Sequence, residues 1–424
     1  MNPQQNTQAT FSAKQIAAAV YLAVVVFCTY ASIFAFRKPF TVATFDDLQF
    51  WGVSYQTLLI ISQVVGYMLS KFYGIRFISE LQRHGRWRTT VLMVGTAWLS
   101  LLVFAVVPAP FGMFCFLLNG FTLGFMWGVV FSYVEGRRTT DFIGVALAVS
   151  FIFAGGFSRS VGKWLMLDWH VSEYWMPFAT ASVFALPLVL FYVLLEKASP
   201  PDADDERERT VRKPMNREER KLFLAQYKWG VVAFVIIYLL LTIMRDLRDN
   251  YMANMWNELG YAKNAAVFAK TETITSLVVL ALIGTLVFVR KNIKAFRIIH
   301  WLLMLGFLLA GVASLLFHID LLDGALWMQF TGLGLYIAYV LFNSVFFERL
   351  LATFSIAGNV GFLIYLADAW GYLGSISVML SKELFKLQLN WISFYSILVI
   401  AFAVIGIVAS FFSFSYFNNK YKKS

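Results

Sequence analysis

Twelve long apolar runs limit what this chain can fold into. A helix needs about 20 predominantly apolar residues to cross a bilayer, and each run has or approaches that length. Only 14% of the residues are charged, whereas an average soluble domain has about 25%. The sequence therefore predicts an all-α, multi-pass membrane protein. The predicted spans are residues 13–36, 54–78, 89–107, 112–134, 141–167, 175–195, 228–244, 267–289, 295–317, 325–347, 355–380 and 391–416.

A long polar stretch, residues 196–226, separates the first six spans from the last six. It contains Pro200-Pro201 and the acidic run 202–206, followed by a mixed-charge segment. This composition is typical of a linker or a surface helix rather than of a packed domain. We therefore expect two pseudo-symmetric six-helix bundles, in residues 1–195 and 227–424, joined by a charged cytoplasmic linker.

Lysine and arginine are concentrated in alternate loops. Loops on the cytoplasmic side of a membrane protein carry an excess of these residues, so the pattern predicts that both termini lie in the cytoplasm and that the chain resides in the inner, cytoplasmic membrane. The same loops explain the net charge of +11 without a nucleic-acid partner. The basic segments are 83–88, 137–138, 197–228, 290–297 and 420–423, while 108–111 and 318–324 contain no Lys or Arg.

A tyrosine followed seven residues later by an arginine occurs at the end of the first and of the seventh span. The two pairs are Tyr30 with Arg37 and Tyr238 with Arg245, and a seven-residue step places both side chains on one helix face. Insertion scales assign a cost of roughly 2.5–3.5 kcal/mol to an arginine in the bilayer core, so an intramembrane arginine suggests a functional site. The repeat predicts one arginine from each half in a shared site.

Two groups of spans with these signatures resemble the major facilitator superfamily, and several motifs are similar to its organophosphate:phosphate antiporters, the glycerol-3-phosphate and hexose-phosphate transporters. The resemblance implies two pseudo-symmetric halves with the substrate site between them near the membrane midplane. It also implies that Arg245 is the second phosphate-binding arginine and that Glu272 is the acidic residue of helix 8. The motifs are Tyr30-Ala31 with Arg37-Lys38 and Phe40, Tyr67 to Phe72 with Ser70-Lys71, and Gly120, Gly124 and Trp127.

The chain departs from the antiporter pattern in its fifth span. That group has a histidine there, whereas this sequence has none between Asp141 and Leu167 and carries Arg159 instead. Arg159 can line the cavity in place of the histidine or have a structural role. In the seventh span, Asp249 lies one helical turn from Arg245 and can neutralise it.

The residues themselves favour an anionic ligand. Arg37, Lys71 and Arg245 would place three positive charges in one cavity, where they repel each other unless an anion is bound. Arginine grips a phosphate or carboxylate with two parallel hydrogen bonds, whereas lysine acts as a point charge. Arg248 is a further candidate for the same site, together with Tyr30 and Tyr238.

Each candidate also has a simpler interpretation. Arg37 can extend along the helix to the outer interface, and Lys71 can belong to the cytoplasmic end of the second span. Arg245 and Arg248 can form ion pairs with neighbouring aspartates. Glu272 and Asp368 are candidates for proton coupling or are structural partners of the arginines.

Charged residues also lie at equivalent inner ends of the fourth and tenth spans. Glu135 and Arg137 follow the fourth span, and Glu348 and Arg349 follow the tenth. We interpret them as latches that join the two halves on the cytoplasmic side, with ordinary loop charge as the alternative.

A secondary transporter for a small organic anion, which includes phosphorylated metabolites, is the function that these features favour. The substrate is then exchanged for phosphate or coupled to protons. The main alternative is a ligand sensor built on the transporter fold that signals through the central loop. An enzyme has the least support, because no nucleophile with a base and no metal-binding or nucleotide-binding motif is visible. We expect a monomer in the lipid bilayer without a cofactor.

Overall fold

The structure is a computed structural model that describes residues 13–46, 48–79, 83–134, 137, 139–200, 217–289, 291–354, 360–385 and 389–423. Helices account for nearly all of this part of the chain. A short hairpin, β1 (Gln49–Phe50) and β2 (Val53–Ser54), precedes the second helix. Its two-residue turn consists of Trp51 and Gly52, both with positive φ, as a tight hairpin turn requires.

Within the described part of the chain, helices occupy each of the twelve predicted spans, although several of their ends differ from the predicted ones. In the first half they are α1 Ala13–Phe34, α2 Tyr55–Ser79, α3 Arg83–Val106, α4 Gly112–Gly124, α5 Met126–Phe131, α6 Thr140–Asp168 and α7 Met176–Glu196. After the linker helix α8 Arg217–Gln226, the second half contains α9 Lys228–Glu258, α10 Ala266–Gly284, α11 Asn292–His318, α12 Gly324–Leu341, α13 Phe347–Thr353, α14 Val360–Leu384 and α15 Trp391–Lys423.

Three of the described spans contain a segment that is not regular α-helix. The fourth is divided into α4 and α5, the eighth ends in a 3₁₀ turn at Thr285–Phe288, and the tenth contains a π-helical segment at Phe342–Phe346 between α12 and α13. π-Helical segments within α-helices often occur at functional sites. This one lies beside the central cavity described below.

The predicted end of the seventh span at residue 244 is wrong. Helix α9 continues through Arg245, Asp246, Arg248 and Asp249 as far as Glu258, with a change in backbone direction at Tyr251. A run of charges normally marks the end of a membrane span, but these side chains are mostly buried and hydrogen-bonded or ion-paired inside the protein. Buried partners allow charges at membrane depth.

Ten of the described helical segments are long and apolar enough to cross a membrane. The two spans outside that group are α2 and α14, which carry the cavity residues Lys71 and Asp368. These two helices pack against each other, α2 from the first half and α14 from the second. These two helices therefore form a direct contact between the two halves. The protein is a multi-pass membrane protein.

Packing within each half is more extensive than packing between the halves. Helix α1 packs on α6 and α7, and α2 packs on α4; in the second half, α9 packs on α14 and α15, and α11 packs on α12 and α15. Helix α6 crosses to α10, where Gly156 lies against the Glu272 side chain and the Phe268 carbonyl. A small residue at this crossing permits close approach of the two helices.

The predicted linker is described only at its ends. Residues 201–216 lie outside the described part of the chain, and α8 forms the remainder up to Gln226. The division into two six-helix bundles stays a prediction. Below, "first half" means residues 1–195 and "second half" means residues 227–424. The side where α7 ends and α9 begins is called the linker side, and the opposite side is called the distal side.

Candidate functional site

A cavity of about 340 Å³ lies between the two halves. This volume is in the range of small-molecule sites, which have about 300–1,000 Å³. Its walls combine aromatic side chains with charged ones. They are formed by Tyr30, Phe34, Arg37, Lys38, Tyr67, Lys71, Trp127, Phe131, Thr140, Gly144, Phe151, Arg245, Asp246, Asp249, Tyr339, Phe342, Asn343, Ser344, Phe347, Glu348, Ile364, Asp368 and Tyr372.

Arg37 reaches the cavity from the turn that follows α1. Two buried amides hold this turn: Gln63 donates to the Arg37 carbonyl at 2.9 Å, and Asn119 donates to the Phe36 carbonyl at 3.1 Å. The Arg37 guanidinium lies over the Tyr67 ring, 3.9 Å from its centroid. Within the described part of the chain it has no hydrogen-bond or ion-pair partner, and its Nε is buried. Arg37 therefore faces the cavity and does not extend toward the lipid.

Lys71 lies on the same wall, one helical turn after Tyr67. Its Nζ is 4.8 Å from the centroid of the Tyr67 ring, so the ring has the Arg37 guanidinium and the lysine ammonium nearby. Cation–π contacts of this kind stabilise a positive charge by about 0.5–2 kcal/mol. The structure thus brings together the first two predicted cationic residues, and Tyr30 lies beside them with its ring against Trp127.

Arg245 lines the cavity from the second half. Its Nε and Nη2 donate to Asp246 Oδ1 at 3.0 and 2.5 Å, and Nη1 donates to the Tyr339 hydroxyl. The carboxylate that neutralises Arg245 is therefore Asp246 and not Asp249, as the helical spacing had suggested. Adjacent residues rarely pair on a helix surface, but here the surrounding tyrosines leave the guanidinium little room elsewhere.

Asp249 joins the two halves instead of pairing with Arg245. Its Oδ1 accepts from the Tyr336 hydroxyl at 2.7 Å and lies 3.8 Å from Arg159 Nη2. Arg159, which is fully buried, also donates to the Asp249 carbonyl and to Thr41 Oγ1, the latter at 3.0 Å. Arg159 is not part of the cavity wall; it lies behind it, where it links α6 to α9.

Arg248 and Glu272 form a second buried pair away from the cavity, with 2.7 Å between Nη1 and Oε1. Arg248 also donates to the Met328 carbonyl at 3.1 Å. Both residues belong to the second half, and neither lines the cavity. This placement gives no support to a substrate contact by Arg248. The residue forms an internal ion pair, but with Glu272 of another helix and not with a neighbouring aspartate as the simpler interpretation had it.

Asp368 lines the cavity, whereas Tyr238 lies behind it. The Tyr238 hydroxyl donates to Asp368 Oδ1 at 2.5 Å. Tyr238 is fully buried, so its place in the repeated Tyr–Arg pattern does not give it the exposure to the cavity that Tyr30 has. Both arginines of the repeated pairs therefore line the cavity, but only one of the two tyrosines, Tyr30, does so.

The predicted latch residues do not all lie within the described part of the chain. Glu135 is outside it. Arg137 donates to the Tyr133 carbonyl and to the Ser199 carbonyl at the start of the linker, and Arg349 donates to Asn292 Oδ1 at 2.8 Å, so none of these hydrogen bonds joins the first half to the second. Glu348 lines the cavity at its linker-side end. The latch hypothesis stays a prediction.

On the distal side, hydrogen bonds join the halves directly. Thr57 Oγ1 lies 2.7 Å from the Tyr251 hydroxyl and donates to Glu383 Oε1 at 2.9 Å, and Ser54 donates to the same oxygen at 2.7 Å. The Tyr251 ring stacks on Trp391 at 3.5 Å. Two further interhalf pairs are Lys38 Nζ with Asn250 Oδ1 at 2.6 Å and Gln56 Nε2 with Asn254 Oδ1 at 3.0 Å. The cavity is closed by these contacts on the distal side and extends toward Thr140 and Glu348 on the linker side.

Sequence reasoning did not identify several cavity residues. Asp246 was seen only as an alternative partner for arginine, and Phe151, Tyr339 and Tyr372 were not distinguished from the many aromatic residues of the spans. Asn343 and Ser344 come from the π-helical segment. The hydropathy of the sequence does not distinguish these residues from others in the spans. A weak signal was available for Tyr339, because its three-residue spacing from Tyr336 places two hydroxyl groups on one face of α12.

Comparison with known proteins identifies the family. Residues 39–420 match DUF5690, a family of unknown function. The chain belongs to this family. No curated protein matches the sequence.

Solved structures share the fold at low sequence identity. The nucleoside transporter NupG has 17% identity and a TM-score of 0.60, with 94% of this chain and 99% of that chain covered. The human organic anion transporter MFSD10 has 11% identity and a TM-score of 0.53, with 93% and 99% covered. A bacterial homologue of the human lysosomal transporter Spinster, in an inward-facing and unoccupied conformation, has 11% identity and a TM-score of 0.55, with 96% and 98% covered. The DUF5690 chain therefore has the major facilitator fold, as the sequence resemblance predicted.

Proposed function

We propose that this DUF5690 protein is a secondary transporter that moves a small organic anion across the membrane by alternating access, with the anion bound at Arg37 and Lys71. The observation that carries the proposal is the guanidinium of Arg37, which faces an interhalf cavity and has no acidic partner within the described part of the chain. A charged donor in a low-dielectric site is costly unless an acceptor satisfies it. A bound anion is such an acceptor.

The ion pairs among the cavity residues support this proposal better than the net charge of the cavity wall does. The cavity wall contains four cations and four carboxylates, so formal charge alone selects no ligand. However, Asp246 and Asp249 already have arginine partners in Arg245 and Arg159. Arg37 can therefore offer its planar fork to a phosphate or carboxylate in two parallel hydrogen bonds.

The closed distal side and the cavity that extends to the linker side support alternating access. In this mechanism the two halves rock around a central site, which opens to one side at a time. With both termini in the cytoplasm, as the basic loops predict, the described conformation is inward-facing. The structural similarity to transporters, one of them the organic anion transporter MFSD10, is in line with the proposal. A phosphorylated substrate, exchanged for phosphate or coupled to protons, is the finer proposal that the antiporter-like motifs favour.

Flux into proteoliposomes tests the proposal. We would load vesicles with inorganic phosphate and measure uptake of radiolabelled phosphate, glucose 6-phosphate and a panel of labelled carboxylates against protein-free vesicles. Arg37→Lys should reduce uptake at least tenfold, because it keeps the charge but removes the bidentate fork. Arg297→Lys, at an exposed position on α11, is the matched control and should leave uptake unchanged.

Two outcomes would contradict the proposal. Binding of an anion to purified protein without any flux would favour the sensor alternative. Equal uptake by wild type and Arg37→Lys would remove Arg37 from the substrate site, provided that both proteins are folded and inserted.

A further inference from the structure

The cavity contains a second polar atom without a partner, and this one is an acceptor. Asp246 is 4% exposed, and its Oδ1 accepts both of the hydrogen bonds that Arg245 donates to this carboxylate. Its Oδ2 is buried and has no hydrogen-bond partner among the described residues. Leaving a buried carboxylate oxygen unsatisfied costs free energy. Asp246 belongs to the cavity wall, and a ligand with a hydrogen-bond donor satisfies this oxygen when the carboxylate turns toward the cavity.

The two unsatisfied atoms lie in opposite halves of the protein. Arg37 belongs to the first half and Asp246 to the second. Between them, the ring of Tyr67 is 3.9 Å from the Arg37 guanidinium and 5.8 Å from the ring of Tyr372, which in turn is 5.8 Å from the guanidinium of Arg245. Aromatic contacts thus connect the Arg37 donor in the first half with Arg245, the ion-pair partner of Asp246, in the second.

The rest of the wall is unusually aromatic for a site that binds small hydrophilic anions. Ten of its 23 lining residues are Phe, Tyr or Trp. Aromatic side chains bind planar rings by offset or edge-to-face contacts. A substrate made only of a phosphate and hydroxyl groups would leave most of this surface in contact with polar atoms.

We infer that the substrate is an aromatic or heteroaromatic anion that also carries a hydrogen-bond donor, with its acidic group at Arg37, its ring among the tyrosines and its donor at Asp246 Oδ2. This inference rests on the proposed function and narrows its substrate class. One ligand of this form would contact both halves at once, which is what a substrate must do to draw them together during transport.

Matched compounds that differ in one group each test the inference on the wild-type protein. Binding to purified protein in detergent would be measured by thermal shift and calorimetry. The reference probe is 3-(4-hydroxyphenyl)propanoate. On a two-ring scaffold, 5-hydroxyindole-3-acetate and indole-3-acetate both carry the anion, the ring and a donor, since the indole N–H remains in both. The single-group controls are 3-phenylpropanoate, which lacks the donor, 3-(4-hydroxycyclohexyl)propanoate, which lacks the aromatic ring, and 3-(4-hydroxyphenyl)propanamide, which is neutral and lacks the anion. Glucose 6-phosphate represents non-aromatic anions.

We expect binding of the reference probe on at least one scaffold, with about tenfold weaker binding after loss of the donor, the ring or the anion. Asp246→Asn should remove the preference for the donor-bearing compound without removing the preference for an anion. Arg37→Lys should weaken binding of all the anions. If Asp246→Asn does not fold because Arg245 loses its partner, the wild-type comparison of matched compounds still decides the question.

The inference and the proposed function fail in different ways. Tight binding of glucose 6-phosphate with no binding of the aromatic anions would overturn the inference and leave the proposed function intact. Equal binding of the compounds with and without the donor would also overturn it. If the neutral amide binds as well as the anions, the anion site itself is wrong, and both proposals fall. An absence of binding by every aromatic anion up to millimolar concentration counts against the inference alone, because flux of other anions tests the proposed function separately.

Discussion

Substitution of Thr57 by valine should open the distal side of the protein. Valine has nearly the shape of threonine but no hydroxyl, so the change removes the interhalf hydrogen bonds to Tyr251 and Glu383 without leaving a void. A hydrogen bond contributes about 0.5–1.5 kcal/mol net, and one to a charged group about 1.5–3 kcal/mol. Ser54 still donates to Glu383, so we take the low end of both ranges, a total of about 2 kcal/mol. This corresponds to an increase of about 30-fold in the ratio of distally open to distally closed molecules.

Distances between spin labels on the distal surface measure this ratio. Trp51, in the hairpin turn of the first half, and Leu321, in the loop between α11 and α12, are 73% and 72% exposed. Cysteines would be introduced there after replacement of the two native cysteines, Cys28 and Cys115. Pulsed electron–electron double resonance measures the distance between the two spin labels on the protein in nanodiscs. The population at long distances should be larger for Thr57→Val than for its parent. The measurement needs no substrate.

A matched control separates loss of the contacts from loss of a buried hydroxyl. Thr180 on α7 is also fully buried, and its Oγ1 has no hydrogen-bond partner within the described residues. Thr180→Val should leave the distance distribution unchanged. The reasoning is refuted if Thr57→Val gives the same distribution as Thr180→Val and the parent, because the hydrogen bonds at Thr57 would then have no part in closing the distal side.

Three further predictions concern the cation site, the crossing of the halves and the topology. Arg245→Ala should abolish transport by the reconstituted protein, since the second half would lose its cavity guanidinium and Asp246 its partner. Retained flux would contradict the prediction that one arginine from each half serves a shared site. Gly156→Ala should lower the melting temperature, because the added methyl group meets the backbone and Glu272 of α10 and overpacking costs about 1–3 kcal/mol. The control is Gly95→Ala on α3, where the added methyl group meets nothing within 4 Å, so the melting temperature should not fall. Equal melting temperatures for Gly156→Ala and Gly95→Ala would contradict close packing of α6 against α10. A cysteine at Lys423 should react with membrane-impermeant maleimide only after permeabilisation of the cell, and labelling of intact cells would reverse the topology.

The fold could be predicted from the sequence because the hydropathy along the chain indicates which segments lie in the membrane. A helix must satisfy its own backbone in lipid, so each span appears as a continuous apolar run. Most described helices start or end within a few residues of the predicted positions, but α3 begins earlier, at Arg83, and α15 continues to Lys423, while α9 continues through polar residues buried in the protein. In α9, the run from Arg245 to Asp249 resembles the end of a span, and only its partners on other elements, such as Arg159 and Tyr336, show that the helix continues.

The candidate site was accessible only in part. Arg37, Lys71 and Arg245 stand out because a charge in an apolar run is expensive, and all three line the cavity. The partner of each charge, however, depends on which helices lie next to each other. Arg248 is as conspicuous in the sequence as Arg245, but Glu272 on α10 binds it away from the cavity.

The sequence by itself therefore determined the class of protein, the approximate spans and the presence of intramembrane charges, because each of these is a local property of composition along the chain. Only the tertiary structure decided which charges are paired, which face the cavity and which side of the protein is closed. These properties depend on distances between residues far apart in sequence, such as Thr57 and Glu383 or Arg159 and Asp249. Helix packing sets those distances, and hydropathy carries no information about them.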